Sequence, residues 1–232
     1  MTEKEFKEEI EKLSIPIDDK KLEKLKKYYN LIIEYNKIMN LTRITEKKEV
    51  YLKHFYDSLT IAKVINLNEQ DNLCDIGTGA GFPGIVLKIF YPNLKVTLID
   101  SLNKRIKFLN EVIKELNLEK IEAIHSRIED YGKNNRDKFD IVTSRAVASL
   151  NTLLEYAIPI TKVNKFFIAL KGKEETIDYK NALKKLNSKI TDINKFKLPK
   201  ECSDRTIYKI EKLSKTSKIF PRKYLEIKNK PL

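Results

Sequence analysis

Leu73-Cys74-Asp75-Ile76-Gly77-Thr78-Gly79-Ala80-Gly81-Phe82-Pro83-Gly84 holds four of the chain's six glycines. An apolar run from Leu73 to Ile76 stops at Gly77. Glycine then alternates through the loop, and Pro83 opens a new apolar-periodic segment. That order reads as strand, glycine-rich turn and helix. Glycine lets the backbone take positive φ and lets a ligand touch main-chain N–H groups that a Cβ would shield. Pro83 suits the first helical position, where a missing N–H costs nothing. A helix N-terminus facing a cleft carries partial positive charge, so an anionic group is expected there. The pattern is that of a nucleotide or nucleoside site.

Two ligands compete for it, NAD(P) and S-adenosylmethionine. A dinucleotide fold wants G-x-G-x-x-G, because the third glycine allows close packing under a pyrophosphate. Gly77 and Gly79 fit that register, but its sixth position is Phe82. The shifted match (Gly79, Gly81, Gly84) starts two residues late and encloses Pro83. S-adenosylmethionine carries no pyrophosphate, so Asp-x-Gly-x-Gly-x-Gly suffices for its methionine amine and carboxylate. Both ligands want an acid at the end of the next strand for the ribose hydroxyls. Lys95-Val96-Thr97-Leu98-Ile99-Asp100 supplies one, about 20 residues on. These residues favour S-adenosylmethionine, and a glycine turn with no ligand is the bland alternative.

The 232 residues suit one large domain or one domain with an appendage. The charged start, Met1-Thr2-Glu3-Lys4-Glu5, lacks the apolar core of a secretory signal. No apolar run reaches the roughly 18 residues of a membrane helix. Two cysteines and two distant histidines, His54 and His125, point away from a disulfide scaffold or a structural metal. A cytoplasmic protein without membrane contact is expected. The net charge of +13 suggests a polyanionic partner. Yet only seven of the 46 basic residues are Arg, and a lysine-rich solvated surface explains most of the charge equally well.

Residues 1–66 read as an N-terminal helical extension packed on the core, with helices near 3–14, 19–39 and 46–66. Their apolar positions, among them Leu22, Leu25, Tyr29, Ile32, Phe55 and Leu59, recur at helical spacing. Residues 67–232 read as a Rossmann-like domain. Strands near 73–76, 95–99, 121–125, 139–144 and 165–170 alternate with helices near 83–91, 104–117, 127–132, 149–158 and 174–187. Such alternation predicts an α/β fold with a doubly wound, mostly parallel sheet. Segments 189–198 and 205–213 read as a closing antiparallel hairpin, and 214–232 as a basic tail. Ligands of such sheets bind at the carboxyl ends of the strands. Gly77, Asp100, Glu129, Arg145 and Lys171 all fall at or just after such ends.

The residues divide by chemistry. Asp75 with Gly77, Gly79 and Gly81 would hold the methionine part, Asp100 the ribose, and Ile128-Glu129 the adenine. Glu129 reads equally as a helix-start carboxylate. After the fourth strand there is neither the Asn-Pro-Pro-aromatic expected for methylating an adenine amine nor the Pro-Cys expected for attack on cytosine. Thr143-Ser144-Arg145 stands there instead. A ring nitrogen with a free lone pair, such as guanine N7, suits a site with no evident base. Arg145 could present paired donors to guanine O6 or a phosphate, or could sit in an ion pair with Glu129 or Asp140.

Asp-Ile-Gly-Thr-Gly-Ala-Gly-Phe-Pro-Gly-Ile (75–85), Asp-Ser-Leu-Asn-Lys-Arg (100–105) and Ser-Arg-Ala-Val-Ala (144–148) resemble the RsmG (GidB) family. These are bacterial methyltransferases of guanine N7 in 16S ribosomal RNA. The resemblance runs from Asn40-Leu41-Thr42 and His54-Phe55-Tyr56-Asp57-Ser58-Leu59 to Ala169-Leu170-Lys171-Gly172 and Phe220-Pro221-Arg222-Lys223, nearly the whole chain. It implies a class I S-adenosylmethionine-dependent methyltransferase fold, that cofactor, and small-subunit ribosomal RNA or the 30S subunit as partner. A monomer is the expected state. Carried over by position, cofactor contacts fall on Gly77, Phe82, Ile128, Glu129 and Arg145. Arg145 and Lys171 are the catalytic candidates, and Arg205, Arg222 and Lys223 the candidates for RNA contact. The family's tail has a glycine soon after Pro-Arg-Lys, where this chain has Tyr224-Leu225-Glu226. A methyltransferase with another RNA acceptor, or a non-catalytic RNA-binding or ribosome-assembly factor with a structural cofactor, would share these features.

Overall fold

A computed structural model describes residues 1–145 and 147–232, so position 146 of the Ser144–Ala148 motif lies outside the described residues. The chain opens with α1 (Glu3–Glu11), where Thr2 and Glu5 form a capping box. α2 (Asp19–Met39) begins at Asp18, whose carboxylate accepts from the Lys21 N–H. It ends at Asn40 in the left-handed conformation, φ 51°, which Asn tolerates better than most residues. The helix expected over 46–66 is instead broken into α3 (Lys47–Glu49), a π-helical stretch (Val50–Tyr56), α4 (Asp57–Leu59) and a 3-10 turn (Thr60–Lys63). Every residue from 50 to 61 except Lys53 is buried. Packing from all sides, rather than one apolar stripe, sets the winding there.

Strand and helix then alternate: β1 (Asn72–Ile76), α5 (Gly84–Phe90), β2 (Lys95–Asp100), α6 (Asn103–Glu115) and β3 (Ile121–His125). After them come α7 (Ile128–Asn134), β4 (Phe139–Arg145), α8 (Leu150–Ala157), β5 (Thr161–Lys171) and α9 (Lys180–Lys185). The hairpin β6 (Ser188–Lys197) and β7 (Asp204–Lys212) leads to a final helix, α10 (Tyr224–Asn229). The seven strands stand in the order β3-β2-β1-β4-β5-β7-β6. The first five are parallel, and β7 is antiparallel to both of its neighbours. The order reverses beside β1, which pairs with β2 on one side and β4 on the other, leaving a crevice at their carboxyl ends. The parallel sheet and the closing hairpin are those the sequence predicts.

Alternating side chains build two cores. Leu73, Leu98 and Ile141 face α1, α2 and the helical stretch before β1, so Phe6, Leu25, Tyr28 and Phe55 share one apolar cluster with α5 and α6. Cys74, Ile99 and Phe167 face the other way, towards α8 and α10. Among the described residues no helix is long and apolar enough to cross a membrane.

Two segments depart from their expected form. The helix expected over 174–187 is reduced to α9, because the preceding backbone bonds to its neighbours. Glu175 N–H donates to the Tyr208 hydroxyl (3.0 Å), and the Glu175 carboxylate accepts from the Leu150 N–H at the start of α8 (2.8 Å). The basic tail is not loose. Arg136 donates to the carbonyls of Thr216 (2.5 Å), Ser217 (3.1 Å) and Phe220. Arg222 clasps Glu155 of α8 through Nε (2.8 Å) and Nη2 (2.6 Å), and Ile227 of α10 is buried against α8's core. Glu155 is fully buried. Truncating Arg222 leaves that carboxylate without its counter-charge, so Arg222→Ala should lower unfolding free energy by about 3 kcal/mol. Limited proteolysis should then cut after residue 213 much faster, whereas the exposed Lys223→Ala should behave as wild type; urea denaturation with timed proteolysis checks both.

Candidate active site

The glycine loop is held from below. The Asp75 carboxyl, fully buried at the end of β1, accepts from the Thr78 hydroxyl (2.7 Å) and from the Gly84 N–H (2.9 Å) with the same oxygen, Oδ2. Burial pushes its pKa up to about 7 against the pull of these two donors. The first N–H of α5 is thus capped by a group of the chain itself. Pro83 takes the position before the helix rather than its first turn, because Asp75 supplies the cap that Pro83 cannot. Asp75 therefore lies beneath the loop, not on the cleft wall, and the anionic group expected at that helix start is its own carboxyl. Gly81 has φ 99° and also lies behind the loop: a Cβ there would stand 2.5 Å from Ile85 and 2.6 Å from the Tyr28 hydroxyl. Tyr28 donates to the Ala80 carbonyl, so α2 braces the loop from behind.

Above the loop a cavity of about 430 Å³ brings together Gly77, Gly79, Phe82, Asp100 and Arg145, joined by Thr42 and His54. Gly77 has φ 66°, and a Cβ would stand 2.7 Å from Val147. The Asp100 carboxylate accepts from the Gly79 N–H (2.9 Å), the Leu102 N–H (2.9 Å) and Arg105 (3.1 Å). It is thereby fixed at the end of β2. An adjoining cavity of about 160 Å³ shares Gly77 and Asp100 and adds Ile128, Glu129 and Tyr224. Glu129 Oε1 is buried with no hydrogen-bond partner among the described residues, its nearest cation being Arg127 at 3.8 Å.

Arg145 also lines a third cavity, of about 290 Å³, with Lys53, Asp57, Lys171 and Arg205. Its ion-pair partner is neither Glu129 nor Asp140 but Asp57 of α4, at 3.4 Å. The other Asp57 oxygen accepts from Arg205 Nε at 3.0 Å. Arg145 also donates to the Lys53 carbonyl (3.0 Å) and bonds His54 Nδ1 (3.1 Å). A guanidinium only donates, so Nδ1 accepts and the His54 proton sits on Nε2, which donates to the Thr42 hydroxyl at 3.0 Å. Burial and then the Arg145 charge push the His54 pKa down to about 3. The neutral ring stacks on Phe82 with centroids 4.4 Å apart, and Arg145 stands 5.1 Å from the same phenyl ring. Lys171 bonds the Ala148 carbonyl and Glu175 (2.5 Å), leaving one N–H for the cavity.

Arg145, Lys171 and Arg205 line one cavity. Arg222 does not join them, because Glu155 of α8 holds its guanidinium; Lys223 lies exposed at the start of α10, beside the Tyr224 that lines the small cavity. The sequence alone does not single out His54, Asp57 and Tyr224 as site residues. The first two are polar residues three apart in the apolar run Val50–Leu59, a spacing that puts both on one helical face.

A family model described as rRNA small subunit methyltransferase G matches residues 21–207. The chain belongs to that family. It is 45% identical over 228 residues to the Bacillus subtilis protein named ribosomal RNA small subunit methyltransferase G, covering 96% of this chain and 95% of the relative. The Desulforamulus reducens protein of the same name is 52% identical over 202 residues, covering 85% and 84%. Among solved structures, a SAM-dependent methyltransferase from Aquifex aeolicus aligns with TM-score 0.54 at 18% identity, over 74% of this chain and 96% of that one. A predicted O-methyltransferase from Agrobacterium tumefaciens aligns at 0.58 and 16%, over 69% and 82%. The fold is therefore that of class I methyltransferases.

His54 carries a test of the electrostatics. Its folded pKa lies below the ordinary 6.5, so its contribution to stability is full above 6.5 and is lost as pH falls towards 3. His54→Gln removes that titration, while the opposite effect of Asp75 is common to both proteins. The stability difference between wild type and variant should shrink by about 2 kcal/mol between pH 7.5 and pH 5, measured by urea denaturation at each pH.

Proposed function

We propose that this protein is an S-adenosylmethionine-dependent methyltransferase that modifies N7 of a guanine in small-subunit ribosomal RNA, in the cytosol. The observation that carries the reading is the position of Arg145 and His54, which form the wall shared by the cavity over the glycine loop and the basic cavity beside it.

The residues present fit the cofactor. Gly79 keeps open space over the loop, since a Cβ there would meet no atom within 4 Å, and Glu129 offers a buried, unpartnered acceptor to an exocyclic amine. Asp100 has three of its roughly four acceptor sites engaged and keeps one, on Oδ1, for a ribose hydroxyl. Tyr224 and Ile128 complete the apolar walls on the adenine side. When bound, S-adenosylmethionine supplies a methyl group on a sulfonium, and guanine N7 accepts it through an in-plane lone pair without losing a proton. The chain's task is then to position the base and exclude water. His54 is neutral and has both nitrogens engaged, so it fixes Arg145 rather than moving protons. Arg145, Lys171 and Arg205 direct donors into the cavity where O6 and the neighbouring phosphates would lie. The Asp57 carboxylate, with one oxygen on Arg145 and the other on Arg205, would hold the two guanidinium groups at fixed angles to the base.

Labelled methyl transfer to small-subunit RNA from cells lacking this gene tests the reading, the product being mapped by strand cleavage selective for 7-methylguanine. One cleavage site is expected. Cofactor binding with no incorporation into naked RNA or subunits would contradict it and favour the non-catalytic alternative.

A further inference from the structure

The cavities above follow the sheet order, from the adenine side over β2 to the basic cavity over β4 and β5. One more continues that line. A groove of about 420 Å³ opens over β5, β7 and β6, with Lys173 from the segment after β5, Lys195, Phe196 and Lys197 from β6, and Arg205 from β7 in its walls. β7 runs antiparallel, so its first residues lie at the edge where β5 and β6 end: Lys171 pairs with Thr206, Phe196 with Arg205 and Lys197 with Asp204. Arg205 lines both the groove and the basic cavity, so the two adjoin at its side chain.

The groove's charge is cationic. Its acids are Glu174, which pairs with Lys195 at 2.6 Å, and Asp204. Among the described residues Lys173 and Lys197 have no ion-pair partner, and both are exposed. Phe196, between Lys195 and Lys197 in sequence, turns to the opposite face of β6, where it packs against the core with the Lys63 ammonium 5.0 Å from its ring. A run of exposed cations at a sheet edge beside the basic cavity suits the phosphates of a nucleic-acid strand. A guanine delivered edge-on into a cavity must itself leave any stack, so its neighbours are the nucleotides such a groove would meet.

We propose that this groove carries the single-stranded RNA flanking the target guanine on one side, with Arg205 at the turn where the strand hands its base into the cavity. The proposal rests on the ribosomal RNA reading and names the surface that gives it an acceptor path. The rival explanation is that lysines on β6, an edge strand, merely prevent pairing with another sheet.

The test compares Lys195→Glu/Lys197→Glu with a control of equal charge change, Lys107→Glu/Lys114→Glu, on exposed positions of α6. Binding to deproteinised small-subunit RNA is read by filter retention over a range of salt, and methyl transfer by KM and kcat. For the groove pair we expect KM for RNA to rise about tenfold, with kcat and cofactor affinity within twofold of wild type. The slope of log affinity against log salt should fall by about 1.4, the change expected when two phosphates of a single strand are no longer neutralised. Equal shifts for groove and control pairs would overturn the proposal and leave the edge-guarding role. Should thermal melting show the charge-reversed pair misfolded, Lys195→Gln/Lys197→Gln is judged by the same comparison. A wild-type protein that binds this RNA but transfers nothing to it would fail the functional reading alone, because the salt slope reads the groove without catalysis.

Discussion

One carboxylate ties the N-terminal helices to the working edge of the sheet. Asp57 reaches Arg145 at the end of β4 and Arg205 at the start of β7, residues 88 and 148 positions away in the chain. Taking such charges out of water costs several kcal/mol per ion, which their attraction offsets only when geometry and hydrogen bonding are good. The bridge is thus better understood as an orienting device than as a source of stability. It holds two donor forks at fixed angles on one cavity, and His54 and the Lys53 carbonyl engage two further N–H groups of Arg145, leaving two of its five free. The N-terminal helices are in this sense part of the site rather than an appendage to it.

The electrostatics of this arrangement suit an acceptor that keeps no proton to lose. Burial holds His54 neutral, and its hydrogen bonds consume both ring nitrogens. Asp75, whose pKa burial raises to about 7, sits under the loop and is turned to Thr78 and Gly84. What faces the basic cavity is a set of donors already aimed by their partners, which is what positioning a ring nitrogen for an in-line displacement requires.

Much of this is legible in the sequence because it depends on local rules. Glycine at positions 77, 79 and 81 marks positive φ directly, and strand–helix alternation fixes a parallel sheet and hence the edge where ligands bind. Asp100, Arg145 and Lys171 follow from that edge alone. What escapes a reading of the sequence depends on contacts between distant segments. Arg222 reads as a candidate for RNA contact until Glu155 of α8 is seen to hold it. The tail reads only as a basic segment, and its fold is set by Arg136 gripping its carbonyls. The π-helical winding of Val50–Tyr56 answers to packing on every side, which a periodicity argument does not register. Asp75 reads as a ligand contact because its place beside the glycines is the same whether its side chain points up into the cleft or down to α5.

The most direct test of this account is the response of Asp57→Asn, because Asp57 lines the basic cavity but not the cavity over the glycine loop. Calorimetry of S-adenosylmethionine binding and single-turnover methyl transfer would be measured on the same preparation. The account predicts cofactor affinity within a few-fold of wild type and a transfer rate lowered by about 100-fold, the scale on which a misplaced positioning group acts. A folded variant that transfers methyl at the wild-type rate would contradict it.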